Sequence, residues 1–278
     1  MKRVIYSLYI DVPEDEFVDN IETNLNTKKQ LKENYIKLLA NKQWYSNKIN
    51  TEFRMFEYDN NYKKYHSEFK KKYPFITTYN IINFYKLHLL YELSKFYDEI
   101  LYLDFDVVCL SEENFFNVWN LKNGICVYNN SNLVKKIEAV TERSQTIRSP
   151  TSKYYNTQAM LIEKNLSPVN KVINTGIIGA NKDYINQLKY FDNFEEDINI
   201  MTRLKSNYDI FPKKIVDFFG YDNETLFSVK LNENKVPVQW LDNHWHYFFD
   251  TQGFIPKETK FVHTINKKFD VVWRRYYA

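Results

Sequence analysis

The chain has 278 residues, 44% of them apolar and 26% charged, with a formal net charge of +3 and 23 Tyr and 21 Phe against only 5 Gly and 7 Pro. A composition so rich in aromatic side chains excludes a disordered, collagen-like or low-complexity protein, because such a chain can bury enough surface to offset the entropy of folding. The 38 Lys and Arg are interleaved with 35 Asp and Glu, which leaves no continuous basic stripe for a nucleic acid, and no window holds the roughly 20 apolar residues that cross a bilayer.

In chain order, Val4 to Ile10 is a short apolar and aromatic run stopped by Asp11 and Pro13, and it reads as a buried first strand followed by a turn. Helical spacing runs from about Phe17 to Lys42 through Ile21, Leu25, Leu31, Tyr35 and Leu38, and alternation at Phe53 and Met55 predicts a strand over Thr51 to Tyr58. The lysine- and tyrosine-rich segment between Asn60 and Pro74 reads as a solvated helix face whose long side chains snorkel. Ile82, Tyr85, Leu89 and Leu93 form the stripe of a further helix over Tyr79 to Phe96.

Strands are expected at residues 99 to 110, Gly124 to Tyr128, Ala159 to Ile162 and Val172 to Gly179, and helices at Asp183 to Leu188 and Glu195 to Leu204. Thr141 to Tyr155 reads as a polar loop. Apolar runs follow at Phe211 to Ile215 and Leu226 to Val229, before the Trp- and His-rich QWLDNHWHYF and the final FVHTINKKFDVVWRRYY. No Gly/Ser/Pro-rich linker and no internal repeat divides the chain, so one mixed α/β domain over 1–278 is expected. Cys109 and Cys126 lie in apolar stretches and read as core thiols. The start, MKRVIYSLYIDVPEDEF, meets acidic residues too soon for a signal peptide, so the expected location is cytoplasmic, or peripheral to a membrane.

The feature that points to chemistry is Asp104-Phe105-Asp106, placed directly after the apolar run Ile100 to Leu103. A run apolar on both faces suits an interior strand of a helix-covered sheet, and ligands of such folds gather beyond the carboxyl ends of the strands. Two carboxylates this close repel and are costly to desolvate unless a divalent cation such as Mn²⁺ or Mg²⁺ neutralises them. On a strand of period two, Asp104 and Asp106 would face one side and Phe105 the other.

With these residues in view, YDEILYLDFDVVCL resembles the DxD strand of A-type-fold (GT-A) glycosyltransferases, and the chain is most similar to the glycogenin and lipopolysaccharide galactosyltransferase-like family. NTGIIGA, Asn174 to Ala180, resembles that family's strand lining the donor sugar; EEDINIMTRL, Glu195 to Leu204, resembles its acidic helix; and the stretch from His263 resembles its late histidine–lysine segment. The last lacks the family's Gly and Pro-Trp, and the usual Asp-Gln pair is Glu196-Asp197 here.

The resemblance implies a single GT-A-like, Rossmann-type α/β domain with a mixed, mostly parallel central sheet flanked by helices. Residues to about 110 would form a nucleotide-binding half, and those from about 111 the donor-sugar and acceptor half. It implies a metal-dependent transfer of a sugar from a nucleoside-diphosphate sugar, a UDP-sugar first of all, to a hydroxyl of a glycan, a lipid-linked glycan or a protein-bound glycan, retention of configuration being favoured over inversion. Asp104, Asp106 and His263 would hold Mn²⁺ or Mg²⁺, with His244 and His246 competing for the histidine's place. Tyr9 and Asp11 would meet the base and ribose; Lys86, Asp104, Asn174, Gly176, Lys267 and Lys268 the sugar and phosphates; and Asp197 or Glu196 would serve as base in an inverting reaction. Trp240 and Trp245 read chiefly as core residues. A catalytically quiet nucleotide-sugar or carbohydrate binder, and a metal-dependent nucleotidyltransferase, are the alternative readings.

Overall fold

Arg3–Leu8 forms the first strand, β1, whose residues from Val4 onward are all buried. A strand without an exposed face must be covered on both sides, and here it is also paired on both edges. It runs parallel to β2 (Glu52–Phe56) with Val4 opposite Glu52, and parallel to β3 (Glu99–Leu103) with Val4 opposite Ile100. Next to β3 lies β6 (Ile173–Asn181), antiparallel, with Leu101 opposite Gly179. With β5 (Ile125–Asn129) and β7 (Val238–Leu241) they form a six-stranded mixed sheet in the order β2-β1-β3-β6-β5-β7. The computed structural model describes residues 1–13, 24–136, 149–206, 215–216, 219–249 and 253–277. The chain is of the α/β class, with its central sheet flanked by helices.

The chain divides into two compact units: one comprises residues 1–126, 176–182 and 238–278, the other residues 127–175 and 183–237. In the first, helix α1 (Asn24–Lys48) packs on β2 and on the short strand β4 (Val107–Cys109), and α3 (Thr78–Ser94) packs on β3. Between them lies α2 (Asn60–Lys72), which packs on α3 and is capped by Asp59, whose carboxylate accepts from the Tyr62 N–H at 2.9 Å. A second, three-stranded sheet joins β4, β9 (Phe261–His263) and β8 (Tyr247–Phe248) in the order β4-β9-β8. It rests on a cluster that includes Leu38, Phe105, Val108, Phe249, Phe269 and Trp273, the last two from the final helix, Phe269–Tyr276. Gly179 marks a close approach in β6, since a Cβ there would stand 2.6 Å from the Phe115 ring.

In the second unit, the helix Ser149–Glu163 packs on Phe194–Lys205 and on Asn223–Glu233. In the first unit α4 is the single turn Phe115–Val118, so these three are α5, α7 and α8; Lys182–Leu188 is α6 and Phe269–Tyr276 is α9. The strand expected at Ala159 to Ile162 is therefore the end of α5, and residues 149–155 of the expected loop are its beginning. The apolar run of four could not tell strand from helix. What decides is the wider spacing, with Thr151, Tyr155 and Ala159 buried four apart along the segment. Leu226 to Val229 lies inside α8, whose cap is Asp222 accepting from the Thr225 N–H at 3.0 Å. The expected helix start at Phe17, most of the polar stretch from Thr141 and most of the run from Phe211 lie outside the described residues.

Candidate functional site

The apolar run that carries the acid pair is not one strand. β3 ends at Leu103 in the large sheet, the chain turns with the Val107 N–H donating to the Asp104 carbonyl at 3.0 Å, and β4 begins at Val107 in the small sheet. Asp104 and Asp106 therefore occupy a turn rather than alternate positions of a strand. Phe105 between them explains why the turn holds: its ring is buried, stacked on Tyr9 at 4.9 Å and tilted against Tyr35 at 5.4 Å. Burying that ring anchors the middle of the turn between the two carboxylates.

The partner of the turn is β9. β4 and β9 are antiparallel with Val107 opposite His263, and the Thr264 N–H donates to the Asp106 carbonyl at 3.1 Å. This register brings the His263 Nε2 to 3.4 Å from Asp106 Oδ2 and 3.8 Å from Asp104 Oδ2. One ligand atom from each of Asp104, Asp106 and His263 lies within 4.8 Å of the others. Two carboxylates and an imidazole nitrogen converging at this range make a hard, oxygen-rich donor set, so the residues present fit a divalent cation of the Mn²⁺ or Mg²⁺ kind.

Charge around the pair is arranged asymmetrically. Asp104 Oδ1 accepts from the Tyr102 hydroxyl and faces the Lys86 ammonium at 3.5 Å. Lys267 donates to Asp106 Oδ2. Burial alone would raise the Asp106 carboxyl, yet the Lys267 ammonium and His263 outweigh it and hold the group well below the usual carboxylate range. Burial would likewise lower Lys267, but Asp106 raises it above the ordinary lysine value. The Tyr102 hydroxyl is pushed well above the ordinary tyrosine value by burial and by Asp104, so it remains a donor. His246 is held well below the ordinary imidazole value by burial and by His263, and is neutral.

The other expected site residues fall as follows. Lys86 is buried, its ammonium 5.2 Å from the centre of the Tyr102 ring. Tyr9 is half-buried, its hydroxyl pushed up to about 12 by burial and then by Asp11, and Asp11 pairs with Lys28 at 3.3 Å. Asn174 and Gly176 lie on β6, and the Gly176 carbonyl accepts from the Asp104 N–H at 2.7 Å. Of the two late lysines, Lys267 turns inward from a left-handed backbone position (φ 55°), whereas Lys268 is exposed. His246 meets His263 rather than the carboxylates, Nε2 to Nδ1 at 3.0 Å, and His244 is exposed with Nδ1 3.9 Å from Asp242. Trp245 is buried against Phe115 and Phe261, while Trp240 is exposed on β7.

In the second unit, Glu196 is exposed and its neighbour Asp197 is fully buried. The Asp197 carboxylate is held between Lys164 and Lys230, each at 2.8 Å. A general base must reach the proton it removes. Here each oxygen of the buried Asp197 carboxylate faces an ammonium group.

Sequence reasoning missed two residues of α1. Asn41 forms a two-way bond with Cys109, its amide donating to the carbonyl and its oxygen accepting from the N–H, both at 2.8 Å. Lys42, fully buried, donates to the carbonyls of Phe105, at 3.3 Å, and of Val107. Together they tie the turn and β4 to the helix beneath. A signal was present: Leu38, Lys42 and Tyr45 share one helix face at spacings of four and three, so Lys42 occupies a position of the apolar stripe.

No protein-family model and no curated protein matches this sequence. Among solved structures, the chain is similar to a glycosyltransferase involved in the glycosylation of the major capsid of PBCV-1, at 13% identity and a TM-score of 0.45, with 100% of each chain covered. It is also similar to mouse xyloside xylosyltransferase 1 (11%, TM-score 0.46, covering 95% of this chain and 98% of that one). A third is the galactosyltransferase LgtC in complex with donor and acceptor sugar analogues (12%, TM-score 0.44, covering 94% and 87%).

Proposed function

We propose that this protein is a metal-dependent glycosyltransferase, one domain over 1–278, that moves a sugar from a nucleoside-diphosphate sugar, a UDP-sugar first of all, to a hydroxyl of a glycan. The observation that carries the reading is the convergence of Asp104, Asp106 and His263 at the carboxyl end of β3, where ligands of helix-covered sheets gather. When bound there, a divalent cation neutralises charge on a departing diphosphate.

The chain's own residues do the rest. Lys86 and Lys267 flank the acid pair and oppose negative charge that grows on the leaving group, in a setting where burial strengthens each interaction. Tyr102 and Lys86 both engage Asp104 Oδ1, which orients the other oxygen, Oδ2, toward the side of His263. Tyr9, half-buried and stacked on Phe105, offers a ring face beside the acid turn to a nucleobase. Asn174, Gly176 and Lys268 complete the proposed donor contacts. A retaining transfer needs no separate base; an inverting one would call on Glu196, the exposed acid of α7, in preference to the enclosed Asp197.

The test is a thermal-shift screen of nucleoside-diphosphate sugars with and without Mn²⁺. A cognate donor at about 100 times its Kd stabilises the folded state by about 2.7 kcal/mol, and transfer to a glycan acceptor should follow with the same donor. Mn²⁺-independent shifts, or a donor that binds and is never consumed, would refute the reading. NMR of the product anomer then distinguishes retention from inversion.

A further inference from the structure

We infer that His246 is a positioning residue that fixes His263 in the one tautomer able to ligate the metal, an inference that rests on the metal site proposed above. His263 presents its two ring nitrogens to different surroundings. Nε2 faces the carboxylates of Asp106 and Asp104 at 3.4 and 3.8 Å, and Nδ1 lies 3.0 Å from the Nε2 of His246. A neutral imidazole carries one proton, and the nitrogen that binds a metal must be the bare one. If Nε2 is the ligand, the proton sits on Nδ1 and needs an acceptor in a place closed to water. His246 Nε2 is such an acceptor, provided that His246 keeps its own proton on Nδ1.

The opposite arrangement has the opposite consequence. Were His246 to donate from Nε2, the Nδ1 of His263 would accept, and a proton on the site-facing Nε2 would point at Asp106 and block the ligand position. The placement of one proton on His246 therefore decides whether His263 is a ligand or a donor. The pair is built to hold still. His246 is fully buried, its ring stacked on Phe248 at 4.4 Å with an interplanar angle of 15°. Its backbone N–H donates to the Asp242 carbonyl at 2.9 Å, and the register of β8 on β9 sets Phe248 opposite His263. Metal-bound histidines characteristically donate their second N–H to an acceptor that sets ring orientation and basicity. Here the acceptor is a second imidazole, brought by the HWH segment.

Two variants and two readouts test this. His246→Gln keeps an acceptor atom close to the place of Nε2, and His246→Leu removes it. In long-range ¹H–¹⁵N spectra of the Mg²⁺-loaded wild type, His263 should show a protonated Nδ1 and a bare Nε2. Binding of Mn²⁺ alone, followed by the resonance of the free ion, should weaken about 10- to 100-fold in His246→Leu and recover most of that loss in His246→Gln. A proton on the His263 Nε2 in the Mg²⁺-loaded protein would overturn the inference, as would a folded His246→Leu that binds Mn²⁺ like the wild type. Should the Leu variant fail to fold, the wild-type spectrum and the Gln variant still decide, because loss of Mn²⁺ binding in a folded Gln variant contradicts an acceptor role. A wild type that binds no Mn²⁺ would remove the metal reading together with the inference, whereas a wild type that binds and a Leu variant that is unchanged removes the inference alone.

Discussion

Each unit of the chain contains a cluster in which two carboxylates meet two ammonium groups. In one, Asp104 and Asp106 are flanked by Lys86 and Lys267; in the other, Asp197 and Glu233 lie among Lys164 and Lys230. The charge inventory is the same and the geometry is not. Asp197 is enclosed, with an ammonium 2.8 Å from each oxygen. In the first cluster each lysine meets one carboxylate, Lys86 facing Asp104 Oδ1 and Lys267 donating to Asp106 Oδ2, while Asp104 keeps 26% of its side chain exposed and an imidazole faces the Oδ2 atoms at 3.4 to 3.8 Å. With equal charge, the two clusters thus differ in how far their carboxylates are enclosed and in the imidazole that joins only the first.

Substitutions can break this contrast. The largest effect is expected from Asp106→Asn, which removes a ligand charge while preserving shape. Mn²⁺-dependent transfer should fall about a thousandfold, ~4 kcal/mol of transition-state stabilisation, with the melting temperature near that of the wild type; undiminished turnover would end the metal assignment. Asp197→Asn should do the reverse. Removing the centre of a buried ion cluster costs about 3–5 kcal/mol of stability, to be read from denaturant unfolding, and residual activity should scale with the folded fraction. A variant of wild-type stability with a lost rate would return Asp197 to the chemistry.

A smaller effect should come from the scaffold of the acid turn. Asn41→Leu orphans the buried N–H and carbonyl of Cys109, at about 1–3 kcal/mol for each. Because β4 carries the register with His263, Mn²⁺ affinity should weaken as well, and unfolding and Mn²⁺ titrations measure the two losses separately. The smallest concerns pH. Burial would raise the Glu233 carboxyl, but the hydrogen bond from Lys164 and the charge of Lys230 hold it below the ordinary glutamate value. A depressed folded-state value stabilises the protein above the unfolded value, about 4.3, and that contribution disappears as pH falls through the folded value. Glu233→Gln should therefore flatten the acid side of the stability–pH curve, and an unchanged slope would show that the pair contributes nothing there.

Much of the fold was legible in the sequence because its signals are local. The buried run Val4 to Leu8, the stripe of α3 and the helix at Glu195 to Leu204 each satisfy a periodicity that few other structures allow. The errors arose where a short apolar run was read without its surroundings, as at Ala159 to Ile162. The acid pair stood out because charge directly after a buried strand calls for a partner, although its placement in a turn between two sheets did not. That break depends on β9, a distant segment whose pairing no local pattern announces. Asn41 and Lys42 escaped for the same reason, since their partners are backbone atoms far along the chain. Asp197 and Glu196 are adjacent acids in one helix turn, and only packing determines that one is enclosed and the other exposed.

The antiparallel register of β4 on β9, with Val107 opposite His263, has a consequence for how this protein comes to be made. Side chains alternate along a strand, so a slip of one residue would turn the imidazole to the opposite face and dissolve the cluster. Asp106 and the lysine that meets it are 161 positions apart. During synthesis the acid turn leaves the ribosome long before its imidazole and ammonium partners exist, and for that interval the two carboxylates have only nearby groups such as Tyr102 and Lys86 to offset their repulsion. The cluster is thus completed late, when β9 pairs with β4, and a nascent chain stalled before that point would lack His263 and Lys267.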